Sequence, residues 1–212
     1  MWDRRSAAAV YPQPLFVAAF GEADRMLWIG LRAAAVVFLA VLTAAAAQVS
    51  VPLPFTPVPF TLQPMVVLLG GAALGPRLGA LSQILYLAAG AAGLPVFAAS
   101  ATLPQGIARL VGPTGGYLLS YPLAAFVTGL LAERGFDRRY LTSVLAMFAG
   151  LAVIFAGGVL WLALMAGSAE GGLGAALALG LYPFVLADLA KICLAGAVLP
   201  AVWRVTGLGR GR

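Results

Sequence analysis

From Leu27 to Trp203 the chain is a succession of apolar runs, most of them close to the 20 or so residues that a helix needs to cross the hydrocarbon core of a bilayer. A soluble domain cannot hide them. Of 212 residues, 62% are hydrophobic and only 9% are charged, which leaves too little polar side chain to face water. In lipid, backbone N–H and C=O groups must be paired within the chain. The expected fold class is therefore all-α, a polytopic membrane protein of six transmembrane helices.

Spans are expected near 27–48, 61–75, 77–93, 114–132, 141–166 and 175–203. The second and third are short for a core about 30 Å thick, and Pro64 falls in the first turn of the second, so tilted or shortened helices are predicted there. Residues 1–26 read as a cytoplasmic leader without the pattern of a cleaved signal peptide, 27–205 as the six-helix domain and 206–212 as a cytoplasmic tail.

Lysine and arginine placement predicts the orientation, because cytoplasmic connections hold the excess. With the N-terminus inside, Arg4, Arg5, Arg25, Arg32, Arg77, Arg134, Arg138, Arg139, Arg204, Arg210 and Arg212 all fall on that side, eleven of the 13 basic residues. The two exceptions are Arg109, in an outer loop, and Lys191, inside the sixth span. A net charge of +6 is thereby explained by membrane topology rather than by nucleic acid, since the basic residues form no aromatic-interleaved stripe.

The chain has no histidine and one cysteine, Cys193. The commonest general base and zinc ligand are thus missing, and no intrachain disulfide is possible. Neither a Gly-x-Ser-x-Gly motif nor a phosphate-binding loop is present, so neither a serine hydrolase nor an ATPase is expected. No metal site and no cofactor are expected.

Asp188 and Lys191 stand out. Each would cost about 2.5–3.5 kcal/mol at the centre of a lone inserted helix, and a start near 175–177 puts Asp188 some 16–20 Å along the sixth span. Their i, i+3 spacing puts both on one face. Either they pair inside the bundle, or they project into a polar pocket and present an acceptor and a cation to a small anionic or zwitterionic ligand, with Arg109 as a second cation.

Ser50–Phe60 is uncharged and carries Pro52, Pro54, Pro57 and Pro59, a stiff segment suited to a lid or wall, or simply a connector. Gly112-Pro113-Thr114-Gly115-Gly116-Tyr117 opens the fourth span with close-approach glycines at a helix N-terminus, either a helix-starting turn or a ligand cradle. Gln63, Gln83 and Gln105 are amides available to a ligand; Tyr86, Phe97, Tyr117, Tyr121 and Trp161 are candidate apolar walls. Ala40 and Ala44 form a small-xxx-small pair suited to close helix approach, whether within the bundle or against another protein.

In order and spacing, Pro57-Val58-Pro59-Phe60-Thr61-Leu62-Gln63, Leu94-Pro95-Val96-Phe97, Gly112-Pro113-Thr114-Gly115-Gly116-Tyr117 and Asp188-xx-Lys191 together resemble the BioY family, biotin-specific S-components of energy-coupling-factor (ECF) transporters. The resemblance runs from about residue 33 to 204. It implies a six-helix subunit that binds biotin near its outer face and works with a transmembrane coupling protein and two ATP-binding-cassette ATPases in the bacterial inner membrane. Implied ligand contacts are Asp188, Lys191, Gly115, Gly116, Tyr117, Arg109, Gln63 and Tyr86, and Ala40 and Ala44 map to the face that meets the coupling protein. One departure is Ala98-Ala99-Ser100-Ala101, where the family usually continues with a glycine-rich run. A stand-alone biotin facilitator and an S-component for another vitamin are the alternatives.

Overall fold

The computed structural model describes residues 13–20, 24–99, 105–166 and 172–208. Helix α1 (Leu15–Phe20) precedes the first long helix, α2 (Arg25–Gln48). A two-residue antiparallel ladder follows, β1 (Ser50–Val51) on β2 (Phe60–Thr61), with Ser50 opposite Thr61 and Val51 opposite Phe60. Then come α3 (Gln63–Leu74), α4 (Pro76–Ala91), the short α5 (Ile107–Val111) and α6 (Gly115–Ala132). A 3-10 turn, Phe136–Arg138, leads into α7 (Tyr140–Ala166), and the chain ends with α8 (Gly172–Gly180), α9 (Tyr182–Gly196) and α10 (Val198–Thr206).

Four helical stretches are long and apolar enough to span a bilayer: Arg25–Gln48, Gly115–Ala132, Tyr140–Met165 and Tyr182–Thr206. Helices α3 and α4, of 12 and 16 residues, are only about 18 and 24 Å long, as the short second and third runs predicted. They are held in the centre of the bundle. Val67, Leu68, Ala124, Ala125 and Met147 from α3, α6 and α7 are wholly buried. Small residues permit this: a Cβ on Gly71 would lie 2.5 Å from the carbonyl oxygen of Ala125, so α3 and α6 touch backbone to backbone. The outward faces are equally apolar, with Phe38, Val41, Leu145, Leu164 and Leu186 exposed where a soluble protein would carry charge. This is the surface of a multi-pass membrane protein.

Two expectations need correction. The sixth span is not one rod: it breaks at Leu181 and again at Ala197. Pro183 has no amide to give Leu179, and Pro200 none to give Gly196, so each break falls four residues or fewer before a proline. Asp188 therefore lies only six residues, about 9 Å, beyond the start of α9. Second, part of the 1–26 leader joins the bundle: Phe16 of α1 is buried with Val36 and Leu78. Ala40 is buried in the main core, and the half-buried Ala44 packs against it. The exposed face of α2 is Val37, Phe38, Val41 and Leu42.

Candidate ligand-binding site

One polar cavity lies where β2, the start of α3, the 97–98 loop, α5, α6, α7 and α9 converge. Phe184, Asp188 and Lys191 all line it, because the i, i+4, i+7 spacing stacks them on one face of α9. Lys191 and Asp188 are 8% and 5% exposed. The Lys191 ammonium donates to Asp188 Oδ1 at 2.7 Å and to the Thr61 carbonyl at 2.6 Å, and sits 3.5 Å from the centre of the Phe60 ring. Pairing and pocket lining thus hold together. With Oδ1 taken, the second Asp188 oxygen, which no described residue bonds, is the free acceptor.

Arg109 enters from α5 and also lines the cavity, 3% exposed. Its guanidinium donates to the Ala98 carbonyl, while Nε has no partner among the described residues. A buried, unpartnered donor on a cation is a seat for an anionic oxygen. Three consecutive carbonyls of the adjoining loop are fixed by side chains: Val96 by Tyr86 Oη at 3.2 Å, Phe97 by Gln105 at 3.2 Å and Ala98 by Arg109. Ala98 lines the cavity where the glycine-rich run was expected, and 100–104 lie outside the described residues.

Gln63 and Tyr117 reach the cavity, as do Tyr121 and Phe97. Gln63 donates through Nε2 to Tyr86 Oη at 2.6 Å, which places Tyr86 behind the wall, edge-on to Phe97 with ring centres 5.5 Å apart. Tyr86 supports the lining rather than forming it. Gly115 and Gly116 do not line the cavity either. A Cβ on Gly116 would fall 2.2 Å from Cβ of Trp161 and one on Gly115 1.9 Å from the Leu110 carbonyl, so both serve close packing that brings Tyr117 into place. Trp161 donates to the Gly112 carbonyl at 2.9 Å, tying α7 to the turn before α6. Gln83 is remote, bonded to Thr43 and Ser82 between α2 and α4.

Sequence reasoning missed Phe184 as a lining residue, although its position one turn before Asp188 on the same face was available as a signal. It also missed the Thr61 carbonyl, for which no sequence signal exists. The site as built offers one carboxylate oxygen to an N–H donor, two cations to an anion, and aromatic walls between them.

A family model described as the BioY family matches residues 24–207. The chain belongs to the BioY family. Among BioY relatives, a probable biotin transporter BioY of Pyrococcus horikoshii is 44% identical over 154 residues, covering 73% of this chain and 85% of that protein. A biotin transporter BioY of Rhodobacter capsulatus is 40% identical over 180 residues, covering 80% and 88%. In three dimensions the BioY chain superposes on the crystal structure of the S-component for biotin from an ECF-type ABC transporter, with a TM-score of 0.74, 23% identity, and coverage of 86% of this chain and 95% of that one. At that identity the likeness is one of fold.

Proposed function

We propose that this BioY chain is the biotin-binding S-component of an ECF transporter, taking up biotin across the cytoplasmic membrane of a bacterial cell. The observation that carries the reading is the buried Asp188–Lys191 pair lining the same cavity as Arg109. Biotin has a ureido ring with two N–H donors, an apolar bicycle and a carboxylate. In our reading the free Asp188 oxygen accepts from a ureido N–H, the aromatic walls hold the bicycle, and Arg109 Nε takes the carboxylate. Lys191 holds the Asp188 carboxyl in place through their 2.7 Å hydrogen bond.

We further propose six crossings, with α3 and α4 as the short ones and α8 to α10 making up the sixth, and both termini, including 1–26 and 206–212, on the cytoplasmic side. Eleven basic residues favour that orientation. The proposed partners are a transmembrane coupling protein and two ABC ATPases. As Ala40 is buried, the outward face of α2 around Val37 and Val41 is the better candidate for that contact.

Calorimetry on the purified, detergent-solubilised chain, with thiamine and riboflavin as controls, tests the reading. Selective binding of biotin is expected; no binding by a folded sample would overturn it. Uptake by vesicles with and without the coupling proteins separates an S-component from a stand-alone facilitator.

A further inference from the structure

Pro183 leaves the Leu179 carbonyl without its helical donor, since the amide that should reach it does not exist. The next carbonyl, Gly180, is freed as well, because the Phe184 amide bonds Leu181 instead at 2.9 Å. In a membrane protein, carbonyls released from a helix must find other donors. Both do, from distant segments: Thr56 Oγ1 donates to Leu179 at 2.7 Å and Tyr117 Oη to Gly180 at 2.7 Å. The Tyr117 contact needs glycine at 180, where a Cβ would lie 2.2 Å from the phenol oxygen.

Thr56 sits in the middle of the proline-rich segment between β1 and β2. Its hydroxyl also accepts the Val58 amide at 3.2 Å, setting the turn into Val58, Pro59, Phe60 and Thr61, all of which line the cavity. The four prolines of this segment have no amide to contribute, and among the described residues the Thr56 bond is the one side-chain hydrogen bond that ties residues 52–59 to another element. The tie ends at the break from which α9 carries Phe184, Asp188 and Lys191 into the cavity.

We infer that Thr56 is a positioning residue that latches the 52–59 segment over the cavity through the proline-freed carbonyl of Leu179, and so sets how fast the ligand leaves. The gating half of this inference rests on the proposed biotin function; the latch itself does not. Thr56 is not among the residues that line the cavity. It acts through the wall that Val58–Thr61 forms.

Two readouts on the full-length, detergent-solubilised chain test it. Hydrogen–deuterium exchange of residues 50–62, measured without biotin, reports the latch, and dissociation of radiolabelled biotin reports the gating. In Thr56→Val both rates should rise about three- to tenfold, the factor lost with one ordinary hydrogen bond. Thr56→Ser keeps the hydroxyl and should stay within about twofold of the parent. Pro183→Ala, which gives Leu179 a donor inside its own helix to compete with Thr56, should loosen the segment too. Unchanged exchange in Thr56→Val overturns the latch. Faster exchange with unchanged dissociation overturns the gating role. Faster exchange in a chain whose parent does not bind biotin supports the latch and removes biotin as its ligand.

Discussion

Replacing Lys191 with methionine keeps most of the side-chain volume and removes only the charge and its two hydrogen bonds, to Asp188 and to Thr61. Both members of the pair are more than nine-tenths buried, so the carboxylate left behind is poorly solvated and has lost its counterion. Breaking a buried pair from one side costs about 3–5 kcal/mol, whereas replacing both members with apolar residues of similar size is often neutral or stabilising. Lys191→Met should therefore melt well below the parent in detergent, while Asp188→Leu/Lys191→Met should recover most of that loss. Binding should not recover. A hydrogen bond to a charged group contributes about 1.5–3 kcal/mol, or roughly 10- to 150-fold in affinity, so the double variant should bind biotin at least tenfold more weakly despite its restored stability. Thermal melts monitored by size exclusion give the first quantity and calorimetry the second. A Lys191→Met chain as stable as its parent would refute the buried-pair argument, and a stable double variant with parental affinity would remove the pair from the ligand site.

Arg109→Gln should lose about tenfold or more in affinity for biotin but little for its uncharged amide, because the guanidinium is assigned to the carboxylate; equal losses for both ligands, by calorimetry, would count against that assignment. Gly116→Ala forces a methyl against Trp161 and the Gly157 carbonyl and should cost about 1–3 kcal/mol. Gly30→Ala, inside α2 with open space around it, is the matched control and should melt no lower than the parent. In the turn before α7, burial raises the Asp137 carboxyl above its ordinary range, against the lowering influence of Trp203 and Arg138. The folded state then holds the proton more tightly than the unfolded state, so this group favours the fold increasingly as pH falls through its raised pKa toward the unfolded value near 3.9. Melts at falling pH, down to the unfolded value near 3.9, should show the parent gaining stability relative to Asp137→Asn.

The parts legible in the sequence are those in which one residue type has a single physical meaning. An apolar run of 20 or more residues has few places to go, which is why α2, α6 and α7 lie where the runs predicted. A charge inside such a run is costly enough to demand an explanation, and Asp188 and Lys191 do meet at the cavity. Glycine carries no such single meaning: Gly115 and Gly116 permit close approach, and sequence cannot say whether a ligand or Trp161 is what approaches. Ala40 and Ala44 pose the same ambiguity: both pack against the bundle, Ala40 buried and Ala44 half-buried.

The broken sixth span shows where legibility ends for a different reason. Hydropathy reads straight through Pro183, since proline leaves the run apolar, yet the missing amide frees two carbonyls. A local rule foretells that those carbonyls need donors, but not which donors. Thr56 stands 123 residues from Leu179, and Tyr117 stands 63 from Gly180. Because Tyr117 lines the cavity and Thr56 sets the turn into the residues that do, the same defect that breaks the last span also fastens the 52–59 segment and α6 next to the helix bearing Asp188. A straightened helix would satisfy its own carbonyls and leave these segments unattached, so the proline at 183 is as much a part of the cavity's construction as the charges that line it.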